Sequence, residues 1–187
     1  MEGPSQQDKF KTVVVEFLQY CTEMMDILSS EGKLKLGKES IEEFKQIKKL
    51  VEMLKGEDLI KKFSLNTIPY WESIRLKDKD FFNANYAKIF GDISSDKLNF
   101  LKYIFIESNE DEIKDSIWAY IHSFIKISIR YIFNLKLIEI KTDKDDKGNP
   151  KTTLRMRPAP DYDDRLKILE VGKIWQVELY PNFLLKK

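Results

Sequence analysis

The stretch DEIKDSIWAYIHSFIKISIRYIF, residues 111–133, is the densest apolar run in the chain, and its interpretation decides the fold. It contains one of the three tryptophans, Trp118, and the only histidine, His122. Three interpretations are open at the outset. The stretch could be a membrane span, a catalytic helix built around the histidine, or the central helix of a hydrophobic core.

The charges within this stretch argue against a membrane span. A spanning helix needs roughly 20 predominantly apolar residues, and here His122, Lys126 and Arg130 interrupt the run within that length. A lysine or an arginine at the centre of a bilayer costs about 2.5 to 3.5 kcal/mol. We therefore expect that this segment does not span a membrane.

The polar and small residues of the stretch fall on one narrow stripe of a helix. Asp115, Ala119, His122, Lys126 and Arg130 recur at spacings of three or four. Isoleucine and aromatic side chains cover most of the remaining circumference, and a helix of this kind is normally surrounded by other helices. The pattern predicts a central core helix whose polar stripe reaches the surface.

The chemistry-bearing residue types of the chain do not form a recognised catalytic or metal-binding motif. His122 has no sequence partner that would make it a general base with an orienting group. Cys21 is the only cysteine, and a structural zinc site usually takes four Cys or His ligands. We predict a protein that is not an enzyme, with no catalytic, cofactor-binding or metal-binding residues and no cofactor.

The N-terminal part of the chain shows helical periodicity. Residues 1–7 are expected to form a flexible tail, and Asp8 is expected to cap a first helix that stops near Gly32. Ser40, with Glu43 three residues later, has the pattern of a capping box and predicts the start of a second helix.

Further helices are predicted up to the stretch at 111–133. One is expected near residues 70–76 after Pro69, and Asp78 or Asp80 is expected to cap another that runs to about Phe90. Ser94 or Ser95 is expected to start the next. These patterns predict a helical domain over residues 8–134.

After Asn134 the apolar pattern changes from helical to alternating. The segments LKLIEIKT and TTLRMRP flank the polar loop DKDDKGNP, which predicts an antiparallel hairpin. The loop superficially resembles a calcium-binding loop, but Lys147 and Leu154 stand where oxygen ligands are needed, so we interpret it as a charged hairpin turn. A short helix over residues 163–170 and a third strand in IWQVELY, residues 174–180, are also expected.

These segments predict a mainly α protein, α+β overall. It is a multi-helix bundle with a small C-terminal antiparallel hairpin or sheet in residues 135–187. The chain has 187 residues, 42% of them hydrophobic, and 32 basic against 31 acidic side chains. A near balance of charge argues against a surface devoted entirely to nucleic acid. A single cysteine and an N-terminus without signal-peptide character favour a cytoplasmic location.

The C-terminal region is predicted to be an interaction surface for a protein partner or for a second copy of the chain, because another chain could extend its strand edges. The residues assigned to this candidate surface are Arg155, Arg157, Trp175, Phe183, Leu184 and Leu185.

Two alternatives stay open. Arg155, Arg157 and Arg165, near Tyr162 and Trp175, could form a nucleic-acid-binding patch, although three aspartates lie among them. Glu139 and Lys141 on a predicted strand resemble the Glu-x-Lys element of many metal-dependent nucleases, although the hairpin that usually precedes it with an aspartate is replaced here by a helix. In those nucleases, carboxylates hold a divalent metal and a lysine stabilises charge.

One family resemblance covers residues 8–133. It consists of a first helix with Phe10, Phe17 and Leu28, a lysine-rich amphipathic helix, the acidic start DKDFF at 78–82, and Ile117-Trp118-x-Tyr120-Ile121. This order resembles a group of uncharacterised proteins of large cytoplasmic DNA viruses of algae and amoebae that contain an IWxYI/L core helix. The resemblance implies a small viral protein, located in the host cytoplasm or in the virion, and it implies no catalytic residues. The function we predict is that of a non-enzymatic viral structural or protein-interaction protein.

Overall fold

The structure is a computed structural model that describes residues 3–35, 38–90, 100, 102–135, 138–156 and 162–179. Seven α-helices and one β-hairpin lie in this part of the chain. The elements follow in the order α1 (Gln6–Ser30), α2 (Lys38–Met53), α3 (Gly56–Thr67), a 3₁₀ turn (Ile68–Tyr70), α4 (Trp71–Arg75), α5 (Lys79–Phe90), a π-helical turn (Tyr103–Glu107), α6 (Asp111–Asn134), β1 (Ile138–Lys144), β2 (Pro150–Met156) and α7 (Tyr162–Ile174). The predicted fold class, a mainly helical bundle with a small C-terminal antiparallel hairpin, is confirmed.

Helix α6 is the central helix of the core, as its sequence predicts. It packs against α1, α3, α4 and α7. Five of its isoleucines have 0% of their surface exposed: Ile117, Ile121, Ile125, Ile129 and Ile132. Full burial of one such side chain contributes about 1.5 to 3 kcal/mol. The helix is therefore the main contributor of apolar surface to the fold.

Aromatic contacts fix two other helices to α6. The ring of Phe124 lies 5.5 Å from the rings of Phe10 and Phe17 of α1 and 5.6 Å from that of Phe63 of α3. Tilted and edge-on pairs at such distances add about 0.5 to 1.5 kcal/mol beyond their buried area. This cluster sets the positions of α1 and α3 in the bundle.

The polar stripe of α6 reaches the surface, as predicted. Asp115 and Ala119 are exposed, whereas His122, Lys126 and Arg130 are partly buried. His122 is covered because the end of α4 and the end of α7 both contact its ring.

The first helix starts earlier than predicted. The hydroxyl of Ser5 accepts a hydrogen bond from the backbone N–H of Asp8 at 3.2 Å, so Ser5 is the N-cap and α1 begins at Gln6. The prediction that Asp8 is the cap and that residues 1–7 form a tail is therefore wrong for residues 5–7. The predicted stop near Gly32 is confirmed, since α1 ends at Ser30.

The predicted capping box at Ser40 and Glu43 is also wrong. Helix α2 begins at Lys38, so Ser40 lies inside its first turn. Asp78 does cap α5, because its carboxylate accepts a hydrogen bond from the N–H of Phe81 at 3.0 Å. The helix start predicted at Ser94 or Ser95 lies outside the described residues.

The hairpin forms where the alternating pattern predicts it. Strands β1 and β2 pair in antiparallel register, with Glu139 opposite Arg155 and Thr142 opposite Thr152. The carboxylate of Asp145 accepts hydrogen bonds from the N–H groups of Lys147 and Asn149 at 2.9 and 2.8 Å. Those bonds lower the pKa of Asp145. The loop is thus a turn closed by its own aspartate, as the interpretation of a charged hairpin turn requires.

The third strand predicted over residues 174–180 is wrong for the described residues 174–179. Helix α7 continues to Ile174, and the chain then turns at Trp175 and Gln176. Trp175 and Val177 are 5% and 7% exposed, so the alternation of buried residues is real. It arises because the chain folds back against α7, and within the described residues the sheet has only β1 and β2.

The C-terminal elements pack on the helical body. Strand β2 contacts α3 and the 3₁₀ turn, β1 contacts α7, and α7 contacts α6. Ile168, Trp175 and Val177 belong to the same hydrophobic cluster as the isoleucines of α6. The packing of α7 beside the 3₁₀ turn creates an apolar groove.

Candidate functional site

An apolar groove of about 300 Å³ lies between the start of α4 and the last two turns of α7. This volume is at the lower end of the range of about 300 to 1,000 Å³ that is common for ligand pockets. The groove is lined by Ile68, Pro69, Trp71, Glu72, Lys167, Ile168, Val171, Ile174 and Trp175. We refer to it as the Trp175 groove.

The first wall of the Trp175 groove is fixed by internal hydrogen bonds. Pro69 lies in the first residues of the 3₁₀ turn, where it has no N–H to leave unpaired. The indole N–H of Trp71 donates to the hydroxyl oxygen of Thr67 at 2.9 Å, and that hydroxyl donates to the carbonyl of Phe63 at 2.8 Å. Trp71 is therefore held in one orientation, with 5% of its surface exposed.

The acidic residue of this wall has a cationic partner. The guanidinium of Arg75 donates two hydrogen bonds to the carboxylate of Glu72, at 2.9 and 2.6 Å. Those bonds lower the pKa of Glu72 below its ordinary value. The carboxylate is thus an ionised group, paired with a guanidinium, at the rim of an otherwise apolar wall.

The second wall is the outer face of α7. Ile168 is 4% exposed and packs into the core, whereas Ile174 at the end of the helix is 54% exposed. Leu179 closes the far side of α7, because a Cβ placed on Gly172 would lie 2.6 Å from its Cδ1 atom. Glycine at this position allows the returning chain to lie directly on the helix.

The end of α7 fixes Trp175. The N–H of Gln176 donates to the carbonyl of Lys173 at 3.1 Å, and the N–H of Val177 donates to that of Gly172 at 2.8 Å. This pair of bonds is a Schellman motif. It places the indole of Trp175 between the groove and the ring of His122, whose centroid lies 5.2 Å away.

His122 supports the groove from behind. Its Nε2 atom lies 3.1 Å from the backbone carbonyl oxygen of Ile74, at the end of α4. Burial is the main cause of a lowered pKa for His122, with Lys77 and Lys126 acting in the same direction and the Ile74 hydrogen bond opposing them. The imidazole thus connects α4, α6 and the end of α7.

Of the residues predicted to form an interaction surface, Trp175 is the one that the structure places in the groove. It is 5% exposed, so it forms a wall rather than a protruding contact. Arg155 lies on β2 opposite Glu139. Arg157, Phe183, Leu184 and Leu185 lie outside the described residues.

The two alternative sites remain predictions. Arg155, Arg165 and Tyr162 lie in described elements, but their side chains are not among those described. The ammonium of Lys141, the predicted nuclease lysine, lies 3.2 Å from the carboxylate of Asp143. In the part of the chain that the structure describes, no cluster of three His, Cys, Asp or Glu side chains is arranged to hold a metal ion.

Helix α6 was one candidate for a membrane span. Among the helices that the structure describes, none is both long enough and apolar enough to cross a bilayer.

Sequence reasoning missed the groove residues Ile68, Pro69 and Ile174. Pro69 was interpreted only as a helix boundary, and Ile174 as the start of a strand. The remaining signal was weak, because each wall is an ordinary amphipathic segment and the groove exists only where the two walls meet.

Comparison of the chain with protein-family models, with curated proteins and with solved structures gave no match.

Proposed function

We propose that this chain is a non-enzymatic protein-interaction protein and that the Trp175 groove accepts an apolar anchor side chain from a protein partner. The single observation that supports this most is the exposure of Ile174, 54%, beside an apolar groove whose tryptophans are each 5% exposed. Residues that carry binding energy at interfaces are typically apolar or aromatic and line preformed pockets. A preformed wall also reduces the entropy lost on binding.

The size and lining of the groove limit the kind of partner side chain that can bind there. A volume of about 300 Å³ admits one or two aliphatic or aromatic side chains rather than a folded element. Of the two charged residues in the lining, Glu72 and Lys167, Glu72 is already paired with Arg75, and the other lining residues are apolar. The occupant is therefore a short segment of another protein with an exposed leucine-, isoleucine- or phenylalanine-type anchor.

The resemblance to proteins of large DNA viruses indicates where the partner is found. It supports a partner that is a component of the infected cell or of the virion. The C-terminal location of Trp175 is consistent with an interaction through the region after residue 135.

The test uses a partner identified by affinity purification from the source cells and then prepared in pure form. Ile174→Asp places a charge at the exposed end of the groove, whereas Met53→Asp changes an apolar residue that is 75% exposed and outside the groove. We expect Ile174→Asp to raise the Kd at least tenfold, equivalent to about 1.4 kcal/mol, and Met53→Asp to leave it within twofold.

Isothermal titration calorimetry measures both values, and circular dichroism establishes that both variants are folded. Equal affinity of the wild type and the folded Ile174→Asp variant would exclude the groove as the binding site.

A further inference from the structure

His122 lies at the junction of three elements that define the back of the Trp175 groove. Its ring centroid is 5.2 Å from that of Trp175 in an edge-on arrangement and 6.0 Å from that of Trp118 on its own helix. Its Nε2 atom contacts the Ile74 carbonyl oxygen at 3.1 Å. A change at this one ring therefore acts on α4, α6 and the end of α7 together.

The hydrogen bond assigns the tautomer. A carbonyl oxygen only accepts, so the Nε2 atom carries the hydrogen and donates. The Ile74 carbonyl also accepts the N–H of Lys77 at 3.0 Å in the turn after α4. The Nδ1 atom therefore holds the lone pair of the neutral ring, and it is the atom that takes up a proton.

The charged surroundings oppose a second positive charge at this position. Lys77 from the turn after α4 and Lys126 from α6 both act on the His122 ring as cations. Lys77 has an anionic partner in Asp115, whose carboxylate lies 3.8 Å from the ammonium and is 76% exposed. From α7 the ring meets the uncharged indole of Trp175, which cannot compensate an imidazolium as a carboxylate would.

We propose that protonation of His122 releases Trp175 from α6, so that the Trp175 groove has its described form only while the imidazole is neutral. The indole covers the half-buried ring, and its departure gives an imidazolium access to water. Release of Trp175 also removes one wall of the groove. This switch makes partner binding at the groove sensitive to pH, and for that consequence it rests on the proposed function.

The sign of the effect follows from linkage. A free histidine has a pKa of about 6.5, and the packed state holds the pKa of His122 below this ordinary value. An open state with a solvated ring therefore binds the proton more readily. Acidification through the range below that ordinary value shifts the population toward the open state, and a return to neutral pH restores the groove.

Nuclear magnetic resonance of the full chain tests the proposal directly, because the protein has one histidine and three tryptophans. The ring C–H signals of His122 report its titration, and Trp175→Phe assigns the indole of Trp175. We expect nuclear Overhauser contacts between His122 and Trp175 to disappear with the same midpoint as the titration. Contacts between His122 and Trp118, which share α6, serve as the internal control and should persist.

A matched variant gives the second measurement. In His122→Gln the side-chain amide can still donate to the Ile74 carbonyl but does not titrate in this range. We expect the protection of the Trp175 indole N–H, the ratio of its intrinsic to its measured exchange rate, to fall on acidification in the wild type and not in this variant.

Contacts between His122 and Trp175 that persist through full protonation of the ring would overturn the proposal. That result is available from the wild type alone, even if His122→Gln does not fold. The readout needs no partner, so failure of the switch and failure of the proposed partner binding are separate outcomes.

Discussion

Three residues in the structure occupy the same place, two positions after the last residue of a helix, with a positive φ. Gly32, Lys77 and Gln176 have φ values of +70°, +52° and +55°. Each follows a helix whose last carbonyls accept backbone N–H groups in a Schellman pattern. Only the first of these helix ends is marked by a glycine in the sequence, because lysine and glutamine are not typical of the left-handed region.

Gln176 allows a quantitative prediction at this scale. Gln176→Gly should raise the free energy of unfolding by about 0.5 to 1 kcal/mol, because glycine adopts a positive φ without steric cost. Gln176→Val should lower it, because a β-branched residue is strained there. Urea denaturation measures both values, and a destabilised Gln176→Gly variant would contradict this account of the α7 terminus.

At the scale of elements, local periodicity predicted α6 nearly to its ends. The apolar stretch covers residues 111–133, and the helix spans Asp111–Asn134. The hairpin was also predicted, since alternation and a polar turn are local signals. The predicted starts of α1 and α2 were wrong by two or three residues, since the structure has the N-cap of α1 at Ser5 and the start of α2 at Lys38. Several adjacent residues can cap a helix, and packing selects among them.

The packing of α6 predicts the effect of removing one methyl group. Ile121→Val should lower the free energy of unfolding by about 0.5 to 1.5 kcal/mol, since Ile121 is 0% exposed at the centre of the core. Ala119→Ser, on the exposed stripe of the same helix, should change it by less than about 0.5 kcal/mol. Chemical denaturation compares the two variants, and equal effects would show that the core is not organised around this face of α6.

The third strand shows why an alternating pattern misleads. Trp175 and Val177 are buried as a strand pattern requires, yet the residues before them continue α7 to Ile174. Whether such a segment pairs as a strand depends on a free neighbouring edge. That edge is a property of the whole sheet and not of the segment.

At the scale of the whole molecule, Cys21 reports on the integrity of the core. The thiol is 0% exposed, and burial raises its pKa well above the ordinary value. The thiolate is the reactive form of cysteine. We expect the native protein at pH 8 to resist Ellman's reagent, whereas protein unfolded in urea should react at its one thiol.

The measurement follows absorbance with and without urea, with Cys21→Ser as the control for background reaction. Rapid and complete modification of native protein, with the helical signal retained, would contradict the burial of Cys21 beneath α6 and its neighbours.

The sequence by itself determined the helical class, the core helix α6 and the hairpin, because each follows from apolar spacing and turn residues within one segment. Only the tertiary structure decided where α7 ends, which carbonyl His122 contacts, and that a groove lies beside Trp175. The physical reason is the same in each case. The carbonyl of Ile74, the ring of His122 and the indole of Trp175 come from distant segments, and contacts between such segments leave no periodic signal in either one.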